Sequence, residues 1–285
     1  MTPQIARRVD VRGVGIWAEQ IGPAAAVPVL LVQRMGALGF EWEPAIVEGL
    51  VAAGYRVITY DQRCFGWSDD GPTDRPLQFD DLVADAIGVL QDFDVTSGHL
   101  VGTSVGGVIV RCIAMRLPDL ARSLTLIGST RGDGDLPIWS DEFAAVATQP
   151  PGPSREERVD YLVRELRVMS DDRFDRAAAR ARAERVVARG WSVDAVRRSV
   201  RAAKSRSPDG RELEHLASTA VPTLVVHGTA DPVLTIEHGR RLADAIPGRD
   251  YLELEGMGHE IQPHYVPLIL ERLLPLLARG DLAAR

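Results

Sequence analysis

The chain has 285 residues, 45% of them hydrophobic and 26% charged, which is enough to bury a large core as one domain or as a domain with an insertion, and too apolar for a disordered chain. Its formal charge of -7 argues against nucleic acid as a partner, since phosphate binding needs a concentrated basic face. No apolar run approaches the roughly 20 residues of a membrane span, and the opening MTPQIARRVD lacks the apolar segment of a secretory signal, so the expected setting is the cytoplasm with no membrane partner.

In chain order, VPVLLV from Val27 reads as a strand, EPAIVEGLVAAG as a helix stopped at Gly54, YRVITYD as a strand, and FDDLVADAIGVLQDF as a helix. GHLVG, the helix VGGVIVRCIAMRL and the strand SLTLIG follow. The strands are continuously apolar instead of alternating, which fits a sheet covered on both faces. Strand, helix, strand, helix implies an α/β fold with a mostly parallel sheet flanked by helices. The same order returns late, with VPTLVVHG and DYLELEG as strands and IEHGRRLADAI and YVPLILERLLPLL as helices.

The segment 131–215 differs, because it is rich in Arg, lacks a strand-like run, and holds helical stretches bounded by Pro and Gly. Ser154 followed three residues on by Glu157 is a capping box that starts one of those helices. An inserted helical cap over 131–215 is expected, with 1–130 and 216–285 forming the core domain. Its charged faces read as solvated helix surface. Trp139, Tyr161, Leu162, Val168, Met169 and Trp191 are the apolar residues that would roof a pocket.

Between GHLVG and its helix the residues Gly102, Thr103, Ser104, Val105 and Gly106 spell G-x-S-x-G. A side chain at the apex of so tight a strand-to-helix turn is forced toward positive φ, at a cost of roughly 1–2 kcal/mol, and its neighbours must be small. The turn exposes a hydroxyl and sets the Val105 N–H at a helix start, where it can hold a developing oxyanion. A serine hydroxyl needs a base to take its proton and an acid to hold that base in one tautomer. Asp231, just past VPTLVVHG, and His259, just past DYLELEG, stand in the order and strand context that suit those roles.

With these residues in view, the sequence resembles the α/β-hydrolase family over nearly its whole length. YDQRCFGWSD is similar to the loop after that family's fourth strand, VGTSVGG to its nucleophile elbow, VVHGTADPV to its acid loop and EGMGH to its histidine loop. The nearer resemblance is to methylesterases of aromatic polyketide tailoring, of the aclacinomycin type, and to serine esterases of macrolide lactones. It implies Ser104 as nucleophile, His259 as general base and then acid, and Asp231 as the orienting carboxylate. One departure stands out. Where the family shows His-Gly after its third strand, VLLVQRMGALGFEW places Gln33 and Arg34, with Met35 as the second oxyanion donor. Arg34 then either projects into the pocket as a cation or points to solvent.

Other polar residues carry plainer readings. His99 and His227 are expected as hydrogen-bonded core residues, His215 and His238 as helical surface, and His264 as a second-choice base. Asp61 and Arg63 read as a pair supporting the elbow, and Asp133 or Asp135 as substitutes for the acid. Cys64 in a loop and Cys112 in a helix are expected to be plain thiols, and no residue spacing suggests a metal or a cofactor. The expected activity is hydrolysis of a hydrophobic small-molecule ester or lactone, with a methyl ester or macrolactone of a bulky polyketide-like compound as the substrate class. Its rivals are a cofactor-free perhydrolase or haloperoxidase, a carbon–carbon bond hydrolase, and a non-enzymatic ligand receptor.

Overall fold

The structure is a computed structural model, and it describes residues 4–71, 74–132, 134, 136–206, 211–218 and 221–284. Asp133 and Asp135 lie outside the described residues. The chain opens with a hairpin of β1 (Gln4–Val11) and β2 (Val14–Ile21), joined at Arg12 and Gly13 with φ of 56° and 82°. Two consecutive positive φ values match the right-handed twist of the flanking strands. Then come β3 (Pro28–Val32), α1 (Pro44–Ala52), β4 (Arg56–Tyr60), α2 (Phe79–Asp92), β5 (Gly98–Thr103), α3 (Val105–Arg116) and β6 (Ala121–Ile127). Among the described residues five helices follow without a strand: α4 (Asp141–Ala147), α5 (Arg155–Val168), α6 (Arg176–Arg189), α7 (Val193–Lys204) and α8 (Arg211–Ser218). The sheet resumes with β7 (Thr223–Gly228), α9 (Ile236–Asp244), β8 (Asp250–Leu254) and the closing α10 (Val266–Ala283).

The eight strands of the described residues form one sheet in the order β1-β2-β4-β3-β5-β6-β7-β8. Pairing is antiparallel through β2 and β4 and parallel from β4 onward. Successive side chains of a strand point to opposite faces, and here both faces are dry. Val29 and Leu31 of β3 join one apolar cluster with α1 and α10, while Leu30 and Val32 join another with α2, α3 and α9. Leu100 and Val101 of β5 divide in the same way. This two-sided burial is why the central strands are apolar without alternation. Because β3 to β8 run parallel, the loops after β3, β5, β6, β7 and β8 all open at one rim.

No helix among the described residues is long and apolar enough to cross a membrane. The capping box forms at α5, where Ser154 Oγ accepts the Glu157 N–H at 3.2 Å and the Glu157 carboxylate accepts the Ser154 N–H at 3.0 Å.

Three expectations need correction. The arginines of the helical segment are only partly a solvated surface. On α6, Arg180 does face outward to Glu156, Asp160 and Glu184, but Arg182, Arg185 and Arg189 share the opposite face and dock on the sheet domain. The spacing of three and four residues puts those side chains on one stripe. Asp61 and Arg63 do not pair with each other. Asp61, fully buried, accepts the Arg189 Nε at 2.8 Å and the backbone N–H groups of Gly39 and Trp67, while Arg63 holds Asp85 of α2 through two nitrogens at 2.6 and 2.5 Å. His238 is buried instead of exposed, bonded to Thr130 Oγ1 at 2.9 Å and to the Pro137 carbonyl.

Burial pushes the Asp85 carboxyl up to about 6 against the pull of Arg63, so the pair is tightly desolvated. Removing one member of such a pair strands the other. Asp85→Ala is expected to cost about 3–5 kcal/mol in chemical denaturation, whereas the double variant Asp85→Leu with Arg63→Met costs clearly less.

Candidate active site

Ser104 sits at the turn between β5 and α3 with φ 53° and ψ -122°, the left-handed region that costs a non-glycine residue strain. The turn survives because its neighbours lack side chains. A Cβ on Gly102 would lie 2.3 Å from the Gly106 carbonyl carbon, and one on Gly106 would lie 2.2 Å from the Val32 carbonyl oxygen. The start of α3 is therefore pressed against both its own strand and the end of β3. The Ser104 N–H donates to Ile127 O at 2.9 Å, and the Ser129 hydroxyl donates to Ser104 O at 2.8 Å, which pins the apex to β6. Val105, the first residue of α3, presents an N–H for which a helix offers no internal acceptor.

On the neighbouring loops His259 Nδ1 and Asp231 Oδ2 stand 2.7 Å apart, with both side chains nearly solvent-free. The other oxygen of Asp231 accepts the N–H groups of Val233 and Leu234 at 2.8 and 2.9 Å. Burial alone would raise this carboxyl, but the attraction and hydrogen bond of His259, with His227 and the Leu234 amide, hold it below the usual carboxylate range. His227 is buried as expected, its Nε2 bonded to Leu234 O at 2.8 Å and 3.5 Å from Asp231 Oδ2. A carbonyl can only accept, so Nε2 carries the proton, and burial holds the ring neutral by lowering its pKa.

The two halves meet at Gly128, past the end of β6. Its N–H donates to Val226 O at 2.9 Å, and a Cβ there would touch Asp231 Oδ2 at 3.4 Å and His259 Nδ1 at 3.5 Å. Ile127, one residue earlier, is the acceptor for Ser104. Ser104, His259 and Asp231 thus come from three loops of one rim that adjoin across a single glycine.

Met35 lies in the loop after β3 and is half-buried. Gln33, standing where a histidine was expected, is buried and accepts the Arg34 N–H at 3.0 Å and the Thr103 hydroxyl at 3.3 Å. Arg34 is mostly covered: its Nε donates to Glu260 Oε2 at 3.3 Å and its Nη1 to Met35 O at 3.3 Å. Glu260, directly after His259, also receives Arg182 Nη1 at 2.5 Å, and Arg182 Nε donates to Glu41 Oε1 at 2.8 Å. Burial would raise the Glu260 carboxyl, yet the two guanidiniums outweigh it and hold it low. Sequence reasoning missed Glu41, Arg182 and Glu260. Only the position of Glu260 beside His259 signalled it, since the ion pairs span 141 and 78 residues.

Of the expected roof, Tyr161, Leu162, Met169 and Trp191 are buried, and Trp191 stacks near Tyr161 with ring centres 5.7 Å apart. Trp191 Nε1 also faces the loop after β3, 3.9 Å from where Gly36 would carry a Cβ. Trp139 instead stands 39% exposed, at φ 76°, its ring edge-on to Phe143. Its N–H donates to Val233 O in the acid loop at 2.8 Å. His264 is held by Asp171 at 2.8 Å and is thereby spent on docking the α5–α6 turn. Of His215, only its place in α8 is described.

The profile of a family described as alpha/beta hydrolase fold matches residues 27–263. Rhodomycin D methylesterase DauP of Streptomyces sp. (strain C5) is 31% identical over 282 residues, covering 90% of this chain and 92% of that protein. Rhodomycin D methylesterase DnrP of Streptomyces peucetius is 30% identical over 273 residues, covering 87% and 90%. Among solved structures, an esterase from Exiguobacterium antarcticum superposes with a TM-score of 0.77 at 20% identity, covering 96% of this chain and all of that one, 100%.

The elbow's dependence on absent side chains can be checked directly. Gly106→Ala places a methyl inside backbone that cannot withdraw, so it is expected to lower stability by more than about 3 kcal/mol in thermal melts, or to abolish soluble expression.

Proposed function

The chain belongs to the alpha/beta hydrolase fold family, and from that premise we propose that it is a serine esterase cleaving a carboxylic ester or lactone through an acyl-serine intermediate. The observation that carries the reading is the 2.7 Å contact of His259 with a buried, low-pKa Asp231, one glycine away from a serine held at positive φ. In this reading His259 Nδ1 keeps its proton toward Asp231, so Nε2 is the lone-pair nitrogen that takes the Ser104 proton. Ser104 Oγ attacks the ester carbonyl, and the tetrahedral oxygen settles on the N–H groups of Val105 and Met35. His259 then gives the proton to the leaving alkoxide and activates water for the second half, while Asp231 stabilises the imidazolium at each stage.

The substrate class proposed is a methyl ester or macrolactone of a bulky, polyketide-like compound. Similarity to two rhodomycin D methylesterases across about nine-tenths of the chain supports it. The helical segment 131–215 serves as the cap over the core of 1–130 and 216–285, with Trp191 facing the loop after β3 and Trp139 at the acid loop forming apolar walls.

Ser104→Ala is expected to lower ester turnover by about 10⁴-fold or more with an unchanged melting temperature. A fluorophosphonate probe labels the wild type at Ser104 and leaves that variant and His259→Gln essentially unlabelled. Near-normal ester cleavage by Ser104→Ala would refute the assignment.

A further inference from the structure

Residue 34 is an arginine at a position where a side chain is not expected, and it is not left loose. It belongs to a closed circuit of charged hydrogen bonds. The Leu38 N–H donates to Glu41 Oε2 at 2.6 Å, Glu41 Oε1 takes Arg182, Arg182 also binds Glu260, Glu260 takes Arg34, and Arg34 returns to Met35 O. Both ends lie on one loop, residues 34–41, after β3. The path between them runs through helix α6 and through the residue following His259. The side chains are poorly exposed, at 11% for Arg34, 12% for Glu260, 23% for Arg182 and 4% for Glu41.

Resting on the esterase reading above, we propose that Arg34 and Glu260 are positioning residues. Their ion pair sets the separation between the Met35 amide and the His259 imidazole, and Arg34 is not a cation offered to a substrate carboxylate. Two observations carry this. The Arg34 Nε and Nη1 are already engaged, the second on the peptide that follows Met35. Glu260 is fixed from three sides, by Arg34, by Arg182 and through its own N–H to Met169 O at 3.0 Å. Glu41 and Glu260 are thus joined through Arg182, and Arg34 closes on Glu260 from the other side.

The test compares kcat and KM for wild type, Arg34→Gln, Glu260→Gln and the double variant, on p-nitrophenyl butyrate and on the p-nitrophenyl monoester of succinate. Each single change is expected to lower kcat on the order of tenfold on both esters, with KM moved less than about twofold. The double variant falls no further than the worse single, as two members of one device should. Hydrogen exchange over residues 33–38 is expected to quicken in Glu260→Gln while the melting temperature shows the variant folded.

A KM that rises only for the succinate monoester in Arg34→Gln would make Arg34 an anion contact and overturn the proposal. So would unchanged kcat in both singles, a multiplicative loss in the double, or unaltered exchange over 33–38. A wild type that the fluorophosphonate probe leaves unlabelled removes the esterase reading, and the exchange measurement then still decides whether Glu260 holds the loop.

Discussion

The start of α3 can lie against the end of β3 only because Gly106 has no Cβ, and everything at the rim is placed relative to that contact. Val32 O occupies the space a methyl would need, at 2.2 Å. The approach brings the first amide of the helix beside the loop that carries Met35. It also bends the chain so sharply that Ser104 is forced into left-handed backbone. Strain of this kind, about 1–3 kcal/mol per residue, persists only when surrounding structure over-determines it. Here that structure is the Ile127 carbonyl, the Ser129 hydroxyl and Gly102.

A second constraint is electrostatic. Buried ion pairs contribute little net stability compared with apolar packing of the same volume, but they fix geometry strongly, because breaking one leaves an uncompensated charge. In this protein they gather at the seam between α6 and the sheet domain. Arg182 joins Glu41 and Glu260, and Arg189 joins Glu19 and Asp61 while its guanidinium lies 4.1 Å over the Trp67 ring. An oily seam would tolerate sliding, whereas directional pairs at the middle and the C-terminal end of α6 allow one seating.

The sheet was legible because burial on both faces writes itself into VPVLLV and VPTLVVHG without alternation, and the elbow because its glycines are adjacent to the serine they serve. The β1–β2 hairpin was not, since β1 is mostly exposed and its residues carry no apolar pattern. Ser104, Asp231 and His259 each announced themselves by position after a strand. The partner of Arg34 is Glu260, 226 residues away, and no local spacing encodes such a pairing. Arg182 and Arg189 looked like solvated charge for the same reason: a helix stripe of arginines reads alike whether water or carboxylates lie opposite. His238 failed in the reverse sense, because helical surroundings suggested exposure while Thr130 and the Pro137 carbonyl supplied buried partners.

The turn between α5 and α6 is carried on the histidine loop. Met169 O accepts the Glu260 N–H, Gly258 abuts that carbonyl with no room for a side chain, and Asp171 is held by Gln262, His264 and Tyr265. This joint divides the helical segment into parts with unequal freedom to diverge. A change of length at 169–171 acts directly on the loop that carries His259, and one at the start of α4 acts on the loop that carries Asp231 through Val233 O and Pro232 O. The helical segment is thereby tied to the sheet domain at two loops, and the stretches between those ties are where its length can vary without pulling on either.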